Sequence, residues 1–231
     1  SPYKENCHNP DSPEEACTIG EGEDTQIYVW SDSHGVELAW QLSETTASLG
    51  TSVKQLTYNG CQPTIEIERV QKPCTEKNSD AYRYLTDSET RSGVVVLIGR
   101  WPLNAEGERF NNREGGLEPG TDPTTTPVGW NGGSDDQRIN QIGQAVERTV
   151  NGLRQAGHQV VLVYPVPEVG WDVPSYAAHR AMLGEDYKAP ISTSYQVYKE
   201  RSASARGYLD DISNASDLMR IRPAEIFCDS F

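Results

Sequence analysis

Gln26-Ile27-Tyr28-Val29-Trp30-Ser31-Asp32-Ser33-His34-Gly35 is the stretch on which the reading of this chain turns. The apolar run Gln26–Trp30 predicts a first strand, and Gly35–Leu49 a helix that ends at Gly50. Ser33 then sits on the turn between them. A hydroxyl at that place faces the N-terminus of a helix, whose unpaired N–H groups and positive dipole end stabilise an oxyanion. That arrangement suits acyl transfer. The competing reading is that Ser31, Asp32 or Ser33 only caps the helix. A place at the end of the first strand of a parallel sheet favours the chemical reading.

The rest of the chain predicts such a sheet. Ser52–Thr57 reads as a second strand, leading into the turn-forming Tyr58-Asn59-Gly60-Cys61-Gln62-Pro63. Glu76–Arg91 reads as a weaker helix. Gly93-Val94-Val95-Val96-Leu97-Ile98-Gly99 is a continuous β-branched run of the kind buried on both faces of a parallel sheet. Residues 102–134, rich in Gly, Pro, Asn and Thr, are too long for an ordinary connection and read as an insertion or lid beside a functional edge. Ser134 and Gln137 form a capping-box pattern, and Ile139, Ile142, Val146, Val150 and Leu153 follow at helical spacing. Gln159–Tyr164 is a further strand, and a last long helix is expected from Thr193 to Ile212. Alternating strands and helices predict an α/β, three-layer, doubly wound parallel sheet, with its site at the C-terminal strand ends.

A formal net charge of −14 repels phosphate backbones and argues against nucleic-acid binding. No apolar run approaches the roughly 20 residues of a membrane helix. The five cysteines form no CxxC pair, which argues against a zinc ribbon, and no metal site is expected. Cys7/Cys17 and Cys61/Cys74 each bracket a short polar loop, the pattern of two local disulfides in an oxidising compartment. Cys228 is left over, as a free thiol or with a partner beyond the given residues. Residues 1–24 read as an N-terminal extension and 25–231 as the α/β domain, excised from a longer protein.

Four short segments, each at a strand end, carry a resemblance. They are Ser31-Asp32-Ser33-His34-Gly35, Cys61-Gln62-Pro63, Gly99-Arg100-Trp101 and Pro165-Val166-Pro167-Glu168-Val169-Gly170-Trp171. The set resembles the SGNH (GDSL-like) hydrolase superfamily, and within it the extracytoplasmic SGNH domains behind integral-membrane acyltransferases that O-acetylate bacterial surface polysaccharides. The resemblance implies a flavodoxin-like fold, with Ser33 as the nucleophile and one oxyanion donor through its N–H, and Gly60 as a second backbone donor. Asp32 supports the elbow, and His34 supports the turn or contacts substrate. Where the superfamily places an asparagine in its third block, this chain has Arg100-Trp101. Arg100 is then a candidate to stabilise an oxyanion or bind a substrate oxygen, and Trp101 to stack on a sugar ring; the alternatives are that Arg100 pairs with an acidic neighbour and Trp101 fills space under the long loop. Trp130 and Trp171 are further aromatic candidates.

The superfamily's general base lies in an Asp-x-x-His segment, and the chain contains none; its histidines are His8, His34, His158 and His179. The ending Ile226-Phe227-Cys228-Asp229 resembles the stretch before that segment, so the base is expected after Phe231. The resemblance implies an O-acyltransferase, with acetyl the expected group and a polysaccharide such as O-antigen the acceptor. It would work in the periplasm through an acyl-serine. No cofactor is expected in this domain, the donor being acetyl-CoA or an acetyl group relayed by an N-terminal membrane acyltransferase domain. An esterase or deacetylase acting on acetylated glycans, and a degenerate glycan-binding module, are the alternatives.

Overall fold

The computed structural model describes residues 4–22, 25–184 and 191–228, so Asp229 and the ends of the predicted extension, 1–3 and 23–24, lie outside the described residues. In chain order the first elements are α1 (Lys4–Cys7), β1 (Thr18–Ile19), β2 (Thr25–Ser31), α2 (Gly35–Thr46) and β3 (Ser52–Thr57). Next come β4 (Ile67–Arg69), α3 (Cys74–Thr86), β5 (Val94–Ile98), α4 (Trp101–Glu106), β6 (Thr125–Pro127) and α5 (Asp135–Gln155). The chain continues through β7 (Gln159–Val163), α6 (Val173–Met182), α7 (Tyr195–Arg201), α8 (Ala203–Asp210), β8 (Leu218–Ile221) and α9 (Ala224–Phe227).

The main sheet has the order β1-β3-β2-β5-β7-β8. All neighbours are parallel except β1, which runs antiparallel to β3 with Thr18 opposite Lys54. Side chains alternate across this sheet. Tyr28, Trp30, Leu56, Val95, Leu97, Val160 and Leu162 meet Ala81 and Leu85 of α3, Val146, Val150 and Leu153 of α5, and Ala205 and Leu209 of α8. The other face, Val29, Val53, Val96, Ile98 and Val163, meets Leu38, Ala39 and Leu42 of α2. The result is three layers. The chain turns back between β2 and β5, so the crevice expected of a doubly wound sheet opens at the C-terminal ends of those strands.

The capping box forms as the sequence predicts: Ser134 Oγ accepts from Gln137 N, and the Gln137 side chain accepts from Ser134 N at 3.0 Å. Cys7–Cys17 and Cys61–Cys74 are both disulfide-bonded. The extension adds β1 to the sheet edge, and Lys54 Nζ donates to the carbonyls of Glu14 and Ala16.

Three expectations change. The long stretch 102–134 is not irregular throughout. It begins as α4, with Pro102 in the first turn where a proline costs no hydrogen bond. It later contributes β6, which pairs antiparallel with β4 in a separate two-stranded sheet. The helix read over 76–91 spans Cys74–Thr86. The long last helix is two, interrupted at Ser202, whose hydroxyl donates back to the Tyr198 carbonyl at 2.7 Å; such bonding bends helices.

Candidate active site

The elbow is built by close approach. A Cβ at Gly35 would lie 2.3 Å from Ser31 Cβ, so only glycine lets α2 start directly against the buried end of β2. Asp32 is almost fully buried. Its Oδ1 accepts the His34 backbone N–H at 2.9 Å and lies 3.2 Å from His34 Nδ1. Its Oδ2 accepts the backbone N–H of Arg100 at 2.7 Å. One carboxylate therefore closes the turn and ties it to the end of β5. His34 occupies the N-cap position of α2, and no side chain caps that helix. The Ser33 side chain is half-buried and makes no hydrogen bond among the described residues, so the capping alternative is not realised.

The end of β3 lies alongside. Tyr58 N donates to the Ser31 carbonyl at 3.0 Å, and Cys61 N closes a turn onto the Tyr58 carbonyl. Gly60 holds φ 75° in that turn, which the Cys61–Cys74 disulfide anchors to α3. The Gly60 carbonyl accepts from Arg69 Nη1. Arg69 was not singled out by its sequence. It is half-buried at the end of β4, opposite Thr125 of β6. Burial lowers its pKa, the positive charges of Arg109 and Arg100 lower it further, and Asp32 acts the other way. Gln62 is fully buried near Gly99, with neither amide atom hydrogen-bonded.

At the end of β5 the guanidinium of Arg100 is committed to carboxylates. Its Nη1 and Nη2 each donate to Glu118 at 2.7 Å, and Nη2 also donates to Glu168. Burial works against its charge, but Glu118 and Glu168 outweigh it and hold the guanidinium above its ordinary value. Arg109 Nη1 donates to Glu118 at 2.6 Å, and Arg201 Nε to Glu168 at 3.0 Å. Burial would raise the Glu118 carboxyl, yet Arg100 and Arg109 pull it down to about 2. Trp101 does not offer a face to a sugar. It is fully buried, and its Nε1–H donates to the Val163 carbonyl at 2.8 Å. Its place at the first turn of α4 puts it in the main core beside Leu97, Leu162 and Tyr164.

A cleft of about 470 Å³ opens beside the elbow, lined by His34, Arg100, Phe110, Glu118, Glu168 and Trp171 among others. Trp171 stacks on Tyr176 with ring centroids 5.2 Å apart. Asn112, fully buried, pins the segment after α4 to this wall: Nδ2 donates to the Val169 carbonyl and Thr193 Oγ1, and Oδ1 accepts from Glu114 and Gly116 N–H. Trp130 is half-buried and does not line the cleft.

The histidines are dispersed. His158 is buried at the start of β7, accepting from Gly93 N and lying 2.6 Å from the Leu85 carbonyl, at the end of the sheet away from Ser33. His179 is exposed on α6. His8 Nδ1 lies 3.0 Å from Thr57 Oγ1, which brings the extension to the C-terminal end of β3. Among the described residues no three His, Cys, Asp or Glu side chains converge as a metal site, and no helix is long and apolar enough to cross a membrane.

Comparison with known proteins gives one family and a shared fold. A family model described as "SGNH domain (fused to AT3 domains)" matches residues 6–231. The periplasmic domain of a lipopolysaccharide acetyltransferase from Salmonella ser. Paratyphi A is similar in structure, with TM-score 0.55 and 15% identity over 92% of this chain and 70% of that one. An acetyl xylan esterase, Est2A, from the rumen bacterium Butyrivibrio proteoclasticus aligns with TM-score 0.41 and 11% identity over 87% of this chain and 55% of that one. No curated protein matches the chain.

Proposed function

Because the chain belongs to the family of SGNH domains fused to AT3 domains, we propose that it is an O-acyltransferase domain working through an acyl-serine at Ser33. The observation that carries the reading is the Ser33 hydroxyl itself. It is partly exposed and uncommitted among the described residues, on a turn locked by Asp32 and directly before the N-terminus of a 12-residue helix. The Ser33 and Gly60 N–H groups are the backbone donors of the oxyanion site.

The reaction has two halves. Ser33 Oγ bonds to the acyl carbon as its proton passes to a general base, and the donor leaves. A sugar hydroxyl then attacks the ester, and Oγ departs as it takes a proton back. The AT3 domain is the proposed source of the acyl group and a polysaccharide the proposed acceptor, with the cleft between His34, Glu168 and Trp171 as its seat. The two disulfides support an extracytoplasmic, oxidising setting. None of the four histidines hydrogen-bonds to Ser33 among the described residues; the base is therefore sought in the full-length protein.

The test is Ser33→Ala in the full-length protein, with glycan O-acetylation read by mass spectrometry of the surface polysaccharide. Loss of the acetyl ester is expected, and unchanged acetylation overturns the reading. Rapid release of acetate to water with no ester on the glycan would instead identify an esterase.

A further inference from the structure

Resting on the Ser33 reading, we propose that Arg69 supplies the positive charge of the oxyanion site, in the place where the chain lacks a third-block asparagine. Three features converge on it. Its Nη1–H clamps the carbonyl of Gly60, the residue whose own N–H is the second backbone donor. That carbonyl is the one described partner of a guanidinium that is half-buried, and no described carboxylate lies within ion-pair distance of it. Its neighbours in charge are Asp32, already bonded to two backbone N–H groups, and the cations Arg100 and Arg109.

A partly buried cation without a counter-ion is costly and is stabilised when a negative charge forms nearby. Arg100 does not fill that need, because Glu118 and Glu168 already neutralise its charge through Nη1 and Nη2, although its buried Nε has no described hydrogen-bond partner. Burial first, and then the charges of Arg109 and Arg100, lower the proton affinity of Arg69, while Asp32 raises it. Placement of Arg69 comes from the insertion: β6 pairs with β4, Arg69 faces Thr125 in register, and Thr125 Oγ1 is fixed by Asn104 Oδ1 at 2.9 Å. The long segment after β5 therefore has a catalytic purpose as well as forming one wall of the cleft.

In the step concerned, Ser33 Oγ attacks the acyl carbon, the carbonyl π pair moves onto oxygen, and the hydroxyl proton goes to a general base. When the pair returns, the leaving group is expelled; with p-nitrophenyl acetate as probe this is p-nitrophenolate. Arg69 acts on the oxygen between those two events. It lowers the barrier without binding the ground state more tightly, so its loss should fall on kcat and not on KM.

The experiment uses the full-length protein with p-nitrophenyl acetate, comparing wild type with Arg69→Met and Arg69→Lys, with folding followed by circular dichroism. Arg69→Met is expected to lower kcat about 100-fold at an unchanged KM, the scale of losing one oxyanion donor. Arg69→Lys, which keeps the charge, should recover at least about tenfold of that loss. The proposal is overturned if folded Arg69→Met keeps kcat within about threefold of wild type, or if Arg69→Lys is as slow as Arg69→Met. If Arg69→Met does not fold, Arg69→Lys decides alone: kcat within about tenfold of wild type supports the charge, and a greater loss overturns it. A fluorophosphonate label mapped in the wild type separates the two claims. Labelling at Ser33 with normal turnover by Arg69→Met sinks only the Arg69 proposal, and a wild type that turns over without labelling at Ser33 sinks the nucleophile reading and this proposal with it.

Discussion

The carboxylate of Asp32 accepts the backbone N–H of Arg100 at 2.7 Å, joining the end of β2 to the end of β5 across the point where the sheet reverses its strand order. The other oxygen holds the His34 N–H. Both are charge-assisted bonds made by a buried group, and such bonds exceed neutral ones in strength. Asp32→Asn keeps the shape but can present an oxygen to only one of the two N–H groups. It should destabilise the domain by about 1–3 kcal/mol, read as a lower urea midpoint, and should slow ester turnover by misplacing Ser33. An Asn variant with wild-type stability would show that the two N–H groups find other acceptors.

Trp101 gives a prediction opposite to its sequence-based role. A buried indole bonded to Val163 is part of the core, so Trp101→Ala should cost about 3–5 kcal/mol. Trp101→Phe keeps most of the packing and loses the hydrogen bond, for about 1–3 kcal/mol. Acceptor KM should not move in the Phe variant at temperatures where it is folded. A selective rise in KM would restore the sugar-stacking role.

What could be read from the chain was local. The strand–turn–helix around residues 26–46, the β-branched run at 94–98 and the Ser134–Gln137 capping box each announce themselves within a few residues, and the cysteine spacing announced both disulfides. What could not be read depended on distant pairing. β4 and β6 are three residues each, too short for a two-residue alternation to register, and Arg69 acquires its direction only when they pair across more than fifty positions. Pairing of Arg100 with a carboxylate is one of its two readings, but the partners could not be named, because Glu118 and Glu168 are 18 and 68 residues away in sequence. The Gly60–Arg69 clamp could have been suspected from the pairing of a turn glycine with a nearby arginine, but nothing local gives the side chain its orientation.

Glu118 makes the network around Arg100 acid-sensitive. Its carboxyl is held at about 2 in the folded protein against an ordinary 4.5. A depressed carboxyl contributes stability that is fully present above its unfolded value and is lost as pH falls from about 4.5 through about 2. Wild type should therefore lose urea resistance between about pH 5 and about pH 2 more steeply than Glu118→Gln, whose curve lacks this component. The Gln variant should be the less stable at neutral pH, and equal slopes for the two proteins would show that Glu118 does not carry the effect.

Gly60 offers the most local test of the turn beside Ser33. Its φ of 75° lies in the region that side chains disfavour, and a Cβ there would stand 2.8 Å from Arg69 Nη1. Gly60→Ala therefore meets two obstacles. The backbone conformation alone costs about 1–2 kcal/mol. The contact with Arg69 adds to it, because the guanidinium must leave the Gly60 carbonyl to make room. Arg69→Met removes that hydrogen bond but also supplies a flexible, uncharged chain that can yield. The two substitutions should then be non-additive, the double variant losing less stability than the sum of the singles by about 0.5 kcal/mol or more. Urea unfolding of the four proteins in the cycle measures this coupling. Strict additivity would mean that the side chain at 60 and the guanidinium never meet, and the clamp on the Gly60 carbonyl would have to be abandoned.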